Sequence, residues 1–303
     1  MGESRHPPPH RPQDLVLIHG WGMNAAVWES LPSLAMDLRL HPIDLPGHGG
    51  RPLLTACDGG PGLLDAWADA CLEAAPRGAV WLGWSLGGLV ALAAARRVAE
   101  RRPGRVGEWI RGLILMTATP RFVRAPDWPE AMPMETLAQF HAGLLADPGG
   151  TLSRFLALQV RGSDEARETL RGLRQSLATR PPPNARALAL GLDLLREQDL
   201  RPDLPGLDLP SLWLFGSHDT LVPAAVEPRI RRLAPEARTR VIAGAAHAPF
   251  LSHPVATREA IADFLAGLQP RPSPRESEAT GAPPRPDSEH HAQGLTTWPN
   301  PGT

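Results

Sequence analysis

The 303-residue chain contains no lysine and no tyrosine, and only two cysteines. With lysine missing, every fixed positive charge is an arginine, a pattern that reads with the abundant alanine, proline and glycine as coding bias. The substitution still matters wherever a carboxylate or phosphate is gripped, because a guanidinium binds such groups bidentately. Cys57 and Cys71 make no disulfide framework and read as reduced thiols of a cytoplasmic protein. Charge of one sign is not in excess either: the formal net charge is −1. Nothing global therefore points to nucleic acid or an anionic membrane as partner. No apolar segment of secretory type opens the chain, since residues 1–14 are polar and rich in Pro and His. The longest apolar run, Ala79 to Ala95, holds three glycines and a serine. It is better explained as strand, turn and helix than as a membrane span.

What is present is an alternation. Leu15-Val16-Leu17-Ile18 is a short β-type run, and a helix-like stretch follows over 25–35. Residues 39–43 read as a weak strand, 63–75 as an amphipathic helix, 79–82 as a buried strand, 87–98 as a helix of small residues and 113–116 as a strand. This order predicts an α/β fold, a mostly parallel sheet with helices on both faces. The pattern stops near Thr119. Residues 120–190 hold only helical patterns broken by Pro and Gly, and read as an inserted helical cap. Strands resume at 211–215 and 239–242, and a last helix covers 254–268. The expected core is thus 15–119 with 191–268. Residues 1–14 and 269–303 are too polar to bury enough surface and are expected to be disordered tails. Their histidines, His6, His10, His290 and His291, carry no metal assignment, and no metal or organic cofactor is expected.

The chemistry is carried by Gly83-Trp84-Ser85-Leu86-Gly87. A bare Gly-x-Ser-x-Gly is weak, but here it follows a buried strand and opens a small-residue helix. That context resembles the nucleophile elbow of the α/β-hydrolase fold. The glycines let backbones pass closely around a strained turn, and the helix aims its N-terminal N–H groups at the same point. A serine hydroxyl needs a base held by an acid. In the expected chain order, Asp219 in Ser217-His218-Asp219 is the acid and His247 in Ala246-His247-Ala248 the base. His218 and His253 are rival bases, and Asp193, Asp199, Asp203 and Asp208 rival acids. The oxyanion would be held by the N–H of Leu86 and by that of Trp21 in His19-Gly20-Trp21-Gly22. His19 reads as a structural, hydrogen-bonding residue.

Taken together, 19–24 (His-Gly-Trp-Gly-Met-Asn), 81–90 (Trp-Leu-Gly-Trp-Ser-Leu-Gly-Gly-Leu-Val), 154–159 (Arg-Phe-Leu-Ala-Leu-Gln) and 245–250 with Ser252-His253-Pro254 resemble one family. It is the BioH-type pimeloyl-acyl-carrier-protein methyl ester esterases of biotin synthesis. The resemblance runs from Leu15 to Leu268. It implies a monomeric cytoplasmic carboxylesterase whose substrate is a carrier-protein-bound methyl ester, with Ser85, Asp219 and His247 as triad. It further implies substrate contacts at Trp21, Ser85, Leu86, Phe155, Leu156, Ala157, Leu158, Gln159 and His247. Arg154, Arg167 and Arg171 match arginines that hold the acidic carrier protein; a fourth family arginine falls at Gly150 here.

Read from the residues alone, Ser163 can cap a helix beginning at Asp164-Glu165, on which Arg167, Arg171 and Arg174 share a face. A solvated, salt-bridged face is the competing reading, with Asp164 and Glu168 in reach. Trp21, Trp84 and Phe155 would line an acyl channel or serve as plain core. Other functions on the same triad remain open at this level: a broad short-chain esterase, an acyltransferase, a C–C hydrolase, or a receptor with a vestigial site.

Overall fold

The computed structural model of the chain describes residues 13–31, 38–54, 59–60 and 62–268. Cys57 and the tail of residues 269–303 lie outside them, as do nearly all of residues 1–14. Six strands form one sheet: β1 (Gln13–Ile18), β2 (Leu38–Ile43), β3 (Ala79–Trp84), β4 (Ile110–Met116), β5 (Ser211–Gly216) and β6 (Arg238–Ile242). Their order is β2-β1-β3-β4-β5-β6, every neighbouring pair being parallel. Parallel strands require crossovers, and the crossover helices cover the sheet on both faces.

The strand side chains divide accordingly. Val16, Ile18, Trp81, Leu113, Leu115, Trp213 and Phe215 enter one core layer, with α1 (Leu63–Ala74) and α2 (Leu86–Arg101). Leu15, Leu17, Val80, Leu82, Ile114, Met116, Leu212 and Leu214 enter the other, with α10 (Pro254–Ala266). The period of two along each strand therefore feeds two apolar layers rather than one. Each such side chain, buried to within a few percent, stabilises the fold by about 1.5–3 kcal/mol relative to exposure. Short helices α3 (Val106–Trp109), α8 (Glu227–Leu233) and α9 (Pro249–Ser252) complete the connections of the sheet.

Between β4 and β5 the chain forms α4 (Met134–Ala146), α5 (Pro148–Gln159), α6 (Ala166–Ala178) and α7 (Ala185–Glu197). They belong to the same compact unit as the sheet. The apolar run 79–95 is β3, the elbow and α2, and among the described residues no helix is long and apolar enough to cross a membrane.

The helix-like stretch after β1 is a 3-10 helix (Ala25–Ser30), started by the Asn24 side chain accepting from Ala26 N; the predicted continuation into 32–35 lies outside the described residues. One local reading changes. Helix α6 begins at Ala166, two residues later than Asp164-Glu165 implies. Ser163 Oγ accepts from Glu165 N at 3.4 Å in a tight turn, so the hydroxyl closes the turn instead of capping the helix;.

Candidate active site

The chain leaves β1 toward one edge of the sheet and returns on the other side of β1 as β3. The two strands stand side by side with Ile18 opposite Gly83, so the loops after them meet. A crevice outside the carboxyl ends of strands at such a reversal is where α/β sheets bind ligands.

Ser85 occupies that point. Its backbone has φ 55° and ψ −117°, a conformation an L-residue adopts only under constraint;. The constraint is visible in its neighbours. A Cβ on Gly83 would sit 2.3 Å from the Gly87 carbonyl oxygen, and one on Gly87 would sit 2.3 Å from that of Ile18. Only glycine lets strand, turn and helix cross this closely. Ser85 N–H donates to Met116 O at 3.0 Å, tying the turn to β4.

Asp219 follows β5 and His247 follows β6. His247 Nδ1 donates to Asp219 Oδ2 at 2.7 Å, and both residues are almost wholly buried. The other carboxylate oxygen, Oδ1, accepts from Leu221 N at 2.8 Å and Val222 N at 3.0 Å. Both carboxylate oxygens thus serve as acceptors, and the imidazole is held with its proton on Nδ1, leaving Nε2 as an acceptor. Nε2 is buried and, among the described residues, bonds to no group, Ser85 Oγ included. Such bonds are commonly formed only with substrate in place.

The rivals lie elsewhere. His218 is exposed and its Nδ1 donates to Gly162 O at 2.6 Å. His253 pairs with Ser252 Oγ. Asp193 and Asp199 are engaged by Arg196 and by Arg121 and Arg201, and Asp203 lies 3.9 Å from Arg96. Asp208 is exposed, and none of the four bonds to His247.

The loop after β1 brings Gly20 against the elbow: a Cβ there would lie 3.2 Å from the Trp84 ring and 3.4 Å from Ser85 Cβ. Among the described residues, neither the Trp21 N–H nor the Leu86 N–H donates to another group. His19 braces this loop. Its Nδ1 donates to Gly20 O at 2.8 Å, and its Nε2 accepts from Leu45 N at 3.0 Å. Burial pushes its pKa down to about 4, and that of neighbouring His48 down to about 3. Both rings are neutral and structural.

Of the 155–159 run, Phe155 packs edge-on to Trp21 with centroids 4.6 Å apart, and Leu156 enters the core layer that holds Trp84 and Phe250. Gln159 is buried and its carbonyl accepts from His247 N at 2.9 Å. Ala157 is exposed and Leu158 half-buried. Arg154, on α5, is exposed with a guanidinium bond to Thr151; Arg167 and Arg171 are exposed on α6, and Arg171 lies 3.4 Å from Glu168. Asp164 precedes α6 and makes no ion pair with Arg167. At Gly150 the backbone N–H is capped by Asp147, and a Cβ would meet that carboxylate at 1.9 Å.

Three supporting groups were not legible in the sequence. Thr117, just past β4, has φ 42° and its Oγ1 donates to His247 O at 2.8 Å. Trp84 Nε1 donates to the same carbonyl at 2.8 Å, so this indole holds the base loop as well as filling core. Gln159 acts on His247 through its main chain. Backbone partners of this kind leave no residue-type signal.

A parallel sheet with a strained serine after a central strand, and a buried His–Asp pair in the loops after two later strands, defines a class. The chain belongs to the alpha/beta hydrolase family, whose model matches residues 15–260. Within it the chain belongs with the pimeloyl-[acyl-carrier protein] methyl ester esterases. It is 46% identical over 255 residues to the protein of that name from Xanthomonas oryzae pv. oryzae, covering 84% of this chain and 95% of the relative. A relative of the same name from Stenotrophomonas maltophilia is 46% identical over 261 residues, covering 86% and 95%. An esterase from Exiguobacterium antarcticum superposes with a TM-score of 0.70 at 19% identity, covering 84% of this chain and 92% of that one, which shows the shared fold.

Proposed function

We propose that this chain is a serine carboxylesterase that hydrolyses the methyl ester of pimeloyl-acyl carrier protein, with Ser85, His247 and Asp219 as triad. The observation that carries the catalytic part is the buried 2.7 Å His247–Asp219 bond, whose histidine carbonyl is held by Trp84, the residue before a serine at φ 55°. The substrate is inferred from the relatives of 46% identity.

Ser85 Oγ attacks the ester carbonyl as His247 Nε2 takes its proton. The resulting oxyanion is held by the Trp21 and Leu86 N–H groups, which have no other partner to give up. His247 then returns the proton to the leaving methanol. Water, activated by the same base, releases the free carboxylate from the acyl-enzyme. Phe155, Leu156, Leu158 and Gln159 flank the acyl chain, and Ala157 contributes from the rim.

The acidic carrier docks on the exposed arginines Arg154, Arg167 and Arg171. Arg161 and Arg174 extend this face, since both are exposed and neither meets a carboxylate among the described residues. Electrostatic attraction of this kind is sensitive to salt.

Two experiments test the reading. Ser85→Ala should lower ester hydrolysis on the order of 10,000-fold or more and abolish fluorophosphonate labelling. Retained turnover would exclude Ser85 as nucleophile. The gene should restore growth without biotin to a bacterium lacking its own esterase of this pathway. No growth, with active protein present, would leave a broad short-chain esterase.

A further inference from the structure

Helix α7 has a glycine at its centre, where glycine is the poorest helix former after proline. Gly191 is buried, its φ needs no glycine, and no turn or bend falls there. Its neighbours supply the reason. A Cβ at 191 would lie 2.8 Å from Trp21 Cδ1, closer than real Cβ atoms come, and 3.2 Å from both Trp21 Nε1 and Leu86 Cδ2. One turn earlier on the same helix face, the Leu188 carbonyl accepts from Trp21 Nε1 at 2.8 Å;. The bare backbone of α7 therefore presses on the side chains of the two residues whose N–H groups are the oxyanion donors. Phe155 packs edge-on against the same ring, so the indole touches both α5 and α7.

We propose that Gly191 is a positioning residue for the oxyanion hole, and that α7, through Gly191 and the Leu188 carbonyl, sets where the Trp21 and Leu86 N–H groups point. The inference rests on the esterase reading above. A side chain at 191 shifts the indole and carries the loop 19–22 with it. Donors aimed at the oxyanion lose their alignment while the ground-state ester binds as before. The loss then falls on kcat rather than KM.

The test compares Gly191→Ala, Trp21→Phe and the unaltered enzyme on an aryl ester. Inhibition by an alkyl trifluoromethyl ketone is measured alongside. Ser85 adds to the ketone carbonyl, its proton passing to His247, and the adduct oxygen occupies the oxyanion site. Gly191→Ala should lower kcat tenfold or more with KM within twofold, and weaken ketone binding by a similar factor, whatever the change in Tm. A glycine of merely structural consequence would move Tm alone. Trp21→Phe, which removes the bond to Leu188 and keeps a ring, should move the same two readouts in the same direction, and decides the matter if Gly191→Ala does not fold. Unaltered kcat and ketone affinity in a folded variant, or a loss confined to KM, would overturn the proposal while Ser85→Ala remains inactive. Activity surviving in Ser85→Ala would instead overturn the esterase reading itself.

Discussion

His19 and His48 show how single residues near the site set its limits. Both are fully buried, with ring centroids 5.2 Å apart; burial chiefly disfavours a charge on either, helped by Arg180 at His19 and by His19 at His48. In the unfolded chain both take up protons near the ordinary value of 6.5; in the fold they do so only near 4 and 3. The unfolded state thus binds more protons in that window, and stability falls as pH drops. It is complete above about 6.5 and declines by about 1.4 kcal/mol per pH unit for each ring. Urea midpoints at pH 7.5, 6.0 and 5.0 check this; a constant midpoint would contradict it. Thr117 sets a second limit. Thr117→Val keeps the branched shape and loses the bond to the His247 carbonyl, so stability should fall by about 1 kcal/mol. Turnover should fall with it, read from kcat and thermal melts. A valine variant with the kcat and melting temperature of the parent would show that the hydroxyl is not needed.

Among the elements, α5 and α6 hold the arginines proposed to meet the carrier protein. Arg167→Ala with Arg171→Ala should raise KM about tenfold for carrier-bound ester and leave a small aryl ester unchanged. The difference should shrink as salt is added. Equal losses on both substrates would mark the two arginines as structural. The start of α5 explains the glycine at 150. Its N–H takes the Asp147 cap, and the carboxylate fills the space a side chain would need. Gly150→Arg should therefore cost about 1 kcal/mol through the lost cap, seen as a lower Tm, with no gain in carrier affinity. The elements themselves were legible unevenly. Strands β3, β4 and β5 were plain because two apolar layers demand unbroken apolar runs. The start of α6 was misplaced because Ser163, a residue suited to capping, is used to close a turn.

At the scale of the molecule, a mostly parallel sheet with helices on both faces was legible from the strand–helix pattern, and Ser85, Asp219 and His247 were chosen from motif order, whereas the strand order β2-β1-β3-β4-β5-β6 was not. What stayed hidden was whatever runs through backbone atoms: the Gln159 carbonyl under His247, the Leu188 carbonyl on Trp21, the close approach of the Gly191 backbone to Trp21. Residue types announce chemistry, and they do not announce which carbonyl a fold will bring near.

The bond from Trp84 to the His247 carbonyl joins residues 163 positions apart. The proposed nucleophile is made early in synthesis, and its base comes after all six described strands. A growing chain thus carries Ser85 as an inert hydroxyl until the segment after β6 has been added and docked. Reactivity toward a fluorophosphonate is then a clock for completed folding. Chains truncated before β6 should stay unlabelled however well their first strands assemble, and labelling of such a fragment would show that the serine is activated by other means.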